Sequence, residues 1–155
     1  MSDTIFDKIV SGEMSSYKIW ESDTHLAFLT PFPSTPGASV VIPKKNIGDN
    51  VLDVESSEYY SLMLAAKTVA NLLEKKLGVS RVALVVEGTG VAYAHVKLYP
   101  LHGKLADRTD ITSDETSFSE DYLGYLTTVE GPPMDPSRLK NIQEKITNNS
   151  DTSSV

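Results

Sequence analysis

Apolar positions fall at two different periods along this chain. Between Asp53 and Leu77, residues Leu62, Met63, Ala66, Val69, Ala70, Leu73 and Leu77 recur at helical spacing, which predicts one long amphipathic helix. Asp53, Ser56 or Ser57 is suited to cap its start, Lys75 and Lys76 suit the negative end of its dipole, and Gly78 is the expected stop. Ile5, Phe6, Ile9 and Val10 predict a shorter helix that Gly12 ends. Elsewhere the pattern is that of strands: Tyr17 to Trp20, His25 to Leu29 as its hairpin partner, Ala38 to Ile42 closed by Pro43, and Val82 to Val86. In His95-Val96-Lys97-Leu98-Tyr99 alternation sends Val96 and Leu98 into a core and sets His95, Lys97 and Tyr99 on the other face, ~7 Å apart at the rise of an extended chain. Pro100 ends that strand.

Connections read by the same logic. Thr30 to Gly37 holds three prolines and is a stiff loop. Lys104 to Ser119 is rich in Asp, Thr and Ser and reads as an exposed loop. Tyr122 to Val129 alternates as a further strand would, Asp135-Pro136 starts a last helix to about Ile146, and 148–155 reads as a disordered tail. The expectation is an α+β fold: an antiparallel sheet of about five strands with one long helix packed across it, plus a C-terminal extension ending in a helix. Residues 1–147 are read as a single domain, with 104–147 as the extension.

Composition narrows the function. The 155 residues suffice for one sizeable core, and a chain with no cysteine has neither disulfides nor a thiolate zinc site. No window has the apolar length of a membrane span, so a soluble, cytoplasmic protein is expected, without membrane contact. A net charge of -7, with Lys44-Lys45 and Lys75-Lys76 as the basic pairs, argues against nucleic acid as a partner. The three histidines show no ligand pairing, so no metal and no cofactor are expected.

The candidate chemistry lies between Glu87 and Gly103. Gly88 and Gly90 leave backbone N–H groups free for an anion just before the His95, Lys97 and Tyr99 face. His95 reads either as a phosphate-binding group or as a core-edge histidine satisfied by a carbonyl. Lys97 reads as an electrostatic anion clamp, as a solvated charge, or, if uncharged, as a nucleophile toward phosphorus. Tyr99 reads as a hydroxyl donor to phosphate or as a ring covering the sheet, and His102 as a general acid on a tight turn or a surface histidine.

This frame resembles the histidine triad family of nucleotide-binding hydrolases and transferases, whose signature is His-x-His-x-His with x apolar. His95 matches the first histidine, Lys97 stands at the second and Tyr99 at the third. The stretches Ile5 to Glu13, Lys18 to Asp23 and Pro36 to Asn46 carry the likeness further, which covers Ile5 to about Gly103. The resemblance implies a base pocket walled by Ile5, Phe6, Ile9, Phe28 and Val40, phosphate contacts from His95, Lys97, Tyr99, Gly88 and Gly90, and a homodimer. The same apolar residues would equally serve as plain core. In the family the second histidine attacks the α-phosphate, so the candidate catalytic pair that the resemblance implies here is Lys97 and His95. Thr30 stands where the family has a ribose-gripping Asp, Ala38 where it has a supporting His, and Asn46 where a His commonly follows the basic pair. Val86 takes the place of a loop Asn, and the loop after it is shorter by about two residues. The implied function is binding of a nucleotide or related small phosphate ligand. Hydrolysis or transfer by a non-standard route is one branch, and a non-catalytic dimeric regulatory or interaction protein the other.

Overall fold

A computed structural model describes residues 3–107, 113–128 and 130–147. The expected tail at 148–155 lies outside the described residues. They fall into two compact units, Met1–Ile111 and Thr112–Val155.

The first unit is a sheet of five strands in the order β1-β2-β3-β5-β4, with every pairing antiparallel. The strands are β1 Tyr17–Glu21, β2 His25–Leu29, β3 Ser39–Pro43, β4 Val82–Val85 and β5 Val96–Pro100. Alternation sorts their side chains onto two faces. Ala27, Val41, Val96 and Leu98 meet the long helix α2, Ser56–Leu77, through Leu62, Ala65, Ala66, Val69 and Leu73. Leu26, Phe28, Val40 and Ile42 form a second cluster on the opposite face with Phe6 and Tyr93, and Phe6 belongs to helix α1, Ile5–Ser11. Strand β3 is buried along its whole length because both faces are covered.

Local chemistry explains where the helices begin and end. Thr4 and Asp7 form a reciprocal capping box at the start of α1, and Gly12, in the left-handed region at φ 80, ends it. Gly78 ends α2 in the same way, its N–H donating to the Glu74 carbonyl at 3.0 Å. The start of α2 departs from expectation. It begins at Ser56 without a side-chain cap, because Asp53 is taken by the Asn50 amide at 2.6 Å in the preceding turn. Strand β5 begins at Val96 rather than His95, since the Ala94 N–H turns aside to the Gly48 carbonyl at 2.6 Å. After it, Lys104–Asp107 forms a short helix α3 where an exposed loop was expected.

In the second unit, helix α4, Pro136–Thr147, forms as the Asp135-Pro136 start signal predicts, with Asp135 accepting from the Ser137 N–H at 2.8 Å. The strand expected at Tyr122 to Val129 is absent over 122–128, and Val129 lies outside the described residues. Gly124 sits at φ 87, a conformation that breaks an extended run, and no neighbouring strand offers a ladder among the described residues.

Candidate functional site

On the sheet face opposite α2 lies a pocket of about 370 Å³. Its apolar wall comes from three elements: Ile5, Phe6 and Ile9 on α1, Phe28 on β2 and Val40 on β3. Thr89, Gly90 and Val91 close one side, and His95 and Lys97 form the polar end. The five residues expected to wall a base pocket thus lie together, beside three of the five expected to meet phosphate, His95, Lys97 and Gly90. Helix α1 reaches this position because its one buried side chain, Phe6, packs edge-on against Phe28, Tyr93 and His95 at ring separations of 5.6, 5.8 and 5.4 Å.

His95 is 3% exposed, and its Nδ1–H donates to the Tyr93 carbonyl at 2.6 Å. A carbonyl can only accept, so that contact leaves the Nε2 lone pair free in the neutral ring. Lys97 stands opposite Val40 on one side and Val85 on the other, and its ammonium pairs with Glu87. Tyr99 lines an adjoining recess of about 240 Å³ with Ser34, Ala38 and Ser39, which Lys97, Thr30, Phe32 and Val40 share with the main pocket. Gly88 does not line the pocket. It sits at φ 66 just before Thr89, its Cβ position open apart from Asn50 Oδ1 at 3.8 Å.

Two histidines lie elsewhere. His102 is exposed and donates through Nε2 to the Pro36 carbonyl at 2.8 Å, which ties the end of β5 to the proline loop. His25 is buried across from Pro43, with Nδ1 at 2.8 Å from Thr24 Oγ1. Lys44 meets Glu21 at 2.8 Å and Lys18 meets its other oxygen at 2.6 Å, and those two hydrogen bonds hold the Glu21 carboxyl down at about 2. A wider depression of about 830 Å³ is lined by Asp3, Asp7 and Asp49 with Thr4 and Asn46; its carboxylates repel a phosphate. Among the described residues, no group of three His, Asp or Glu is placed to hold a metal ion, and no helix is long and apolar enough to cross a membrane.

Sequence reading missed Glu87, Tyr93 and Phe32. Glu87 is legible only after the β4–β5 register is known, because that register brings it to Lys97. Tyr93 is fully buried, and its hydroxyl donates to the Pro43 carbonyl at 2.7 Å; burial, aided by the Asp7 charge, pushes the phenol up to about 12. Phe32 is 90% exposed at the rim, where an aromatic in a proline-fixed loop offered no periodic signal.

An open antiparallel sheet with a helix across one face, a short helix on the other and a His–Lys end to an apolar pocket defines an α+β protein of histidine-triad type. The chain belongs to the HIT domain family, whose match covers residues 11–115. It is 35% identical over 104 residues to an uncharacterized HIT-like protein of Mycoplasma genitalium, covering 64% of this chain and 73% of that one. An uncharacterized HIT-like protein of Borreliella burgdorferi is 36% identical over 75 residues, 48% of this chain and 53% of the relative, so the match spans about half the length of that relative. Among solved structures, a Streptococcus mutans protein superposes with a TM-score of 0.66 at 27% identity, covering 94% of this chain and 84% of the other.

Proposed function

We propose that this chain binds a nucleotide or a related ring-bearing phosphate ligand in the pocket between α1 and the sheet. The ring lies among Ile5, Phe6, Ile9, Phe28 and Val40, and the phosphate end is directed toward His95, Lys97 and the Gly88–Gly90 loop. The observation that carries this reading is a pocket with an apolar wall built from three separate elements and one polar end. Membership of a family with nucleotide-binding members supports it. His95 contributes a bare Nε2 to a phosphate hydroxyl or to the proton of an attacking water, and Tyr99 contributes its hydroxyl from the adjoining recess.

One observation favours binding without nucleotidyl transfer. An ammonium held by a carboxylate has no lone pair with which to attack phosphorus, and Lys97 is so held. The regulatory branch therefore stands beside the catalytic one, in which Lys97 or His95 supplies the missing nucleophile. The reading includes a cytosolic homodimer, in keeping with the edge strand β4, which among the described residues pairs with β5 alone and leaves Leu84 exposed.

Thermal melting with nucleosides, nucleoside monophosphates, dinucleoside polyphosphates and sugar phosphates tests the reading. A ligand at 100 times its dissociation constant stabilises the fold by about 2.7 kcal/mol, a shift of several degrees for a chain of this size. At least one nucleoside or nucleotide is expected to raise Tm, and Phe28→Ala to abolish that rise. No shift with any of them at millimolar concentration refutes the pocket assignment. Turnover of a shifting compound that collapses in His95→Ala or Lys97→Ala would favour the catalytic branch, and binding with no turnover the regulatory one.

A further inference from the structure

Lys97 does not face the pocket alone. It pairs with Glu87, and both side chains are largely withdrawn from water, Lys97 being 29% exposed and Glu87 15%. The hairpin dictates the pairing, since Val85 lies opposite Lys97 in the β4–β5 ladder and Glu87 follows just beyond the end of β4. Immediately after Glu87 come Gly88 and Gly90, both at positive φ, and Thr89 and Gly90 form a wall of the same pocket. The carboxylate and the wall that a phosphate would approach thus belong to one short segment.

That arrangement alters what the polar end attracts. An ammonium matched by a carboxylate presents little net field to an incoming anion, because the two opposite charges cancel beyond their own separation. A phosphate that reaches Lys97 must displace Glu87 or lie beside it. Lying beside it puts two anions together in space with reduced solvation, where like charges repel strongly. Displacing it leaves the Glu87 carboxylate in need of another partner or of water. Either route weakens the phosphate contact while the apolar chamber is untouched.

We infer that Glu87 sets the charge preference of this pocket: its carboxylate competes with the ligand phosphate for Lys97, so among ring-bearing ligands the site favours those with a single charge or none at that end over dianionic 5′-monophosphates. The inference rests on the nucleotide reading above and deepens it. Glu87 acts through Lys97 and is a positioning residue.

Calorimetric titration of the full chain with adenosine, guanosine, cytidine and uridine, each beside its 5′-monophosphate, separates the two ideas. The quantity read is the ratio of monophosphate affinity to nucleoside affinity. Glu87→Gln is expected to raise that ratio by about tenfold or more, since it removes a close charge while keeping the side-chain shape. Glu87→Asp, which keeps the charge, is expected to follow the unmodified protein. Lys97→Gln is an independent arm, expected to lower the ratio because the Glu87 carboxylate then faces the ligand unopposed. Nucleoside binding with an unchanged ratio in Glu87→Gln, or an unchanged ratio in Lys97→Gln, overturns the inference and leaves the pocket standing. Failure of every nucleoside and monophosphate to bind any of the proteins overturns the nucleotide reading and this inference with it.

Discussion

His95 and His25 show how one residue type acquires two characters from its surroundings. The Tyr93 hydroxyl is anchored on Pro43, and the Tyr93 carbonyl in turn fixes His95 Nδ1, so the imidazole meets the pocket in a set orientation. His25 is 4% exposed on β2, and its buried Nε2 has no hydrogen-bond partner among the described residues. Burial lowers its pKa from the ordinary 6.5, partly opposed by the charge of Glu58. The unfolded chain, with an ordinary histidine near 6.5, therefore binds more protons than the folded one at pH values between the lowered folded pKa and about 6.5. The contribution of His25 to stability is complete above that window and is lost as pH falls through it. Melting curves taken from about pH 7 to about pH 5 should show Tm falling more steeply in the unmodified protein than in His25→Gln. Parallel curves would mean that His25 binds its proton as readily in the folded chain as in the unfolded one.

At the scale of elements, one glycine joins three of them. Gly37 closes the proline loop at φ 86, and a Cβ there would overlap Leu77 Cδ1 at the end of α2 and stand 3.1 Å from Pro100 Cγ at the end of β5. Leu77 is a flexible, partly exposed side chain and can yield; the ring of Pro100 and the positive φ cannot. Gly37→Ala is expected to lower stability by about 1–3 kcal/mol, read as a lower urea midpoint at unchanged slope. An unchanged midpoint would show that the loop relaxes freely. The sequence announced this loop through its prolines, just as it announced α2 and β5, because in each the signal is local: helical spacing in Leu62 to Leu73, alternation in Val96 to Pro100. What stayed hidden depends on register or on partners. Glu87 needed the β4–β5 ladder, Asp53 looked like a cap until Asn50 claimed it, and Tyr122 to Thr128 alternates like a strand but joins no sheet ladder among the described residues. The apolar members of the site were legible through the family likeness, whereas the charge balance of its polar end was not.

For the whole molecule, the division at Ile111 bears on where binding resides. Among the described residues, both clusters of buried apolar residues draw on positions from Phe6 to Leu98, and those lining the proposed pocket lie between Ile5 and Lys97. The second unit is differently made: α4 buries none of its residues, and Leu139, Ile146, Tyr122 and Leu126 all remain exposed. An element with no buried face contributes little to a cooperative core, since tertiary burial rather than helix propensity stabilises most helices. The first unit alone has a length at which single domains commonly fold. A chain ended at Ile111 is therefore expected to melt in one cooperative transition and to bind nucleosides with the affinity of the full chain, both checked by calorimetry. Cooperative melting with lost binding would move the second unit into the ligand site. Loss of the transition itself would make residues beyond Ile111 part of the folding unit.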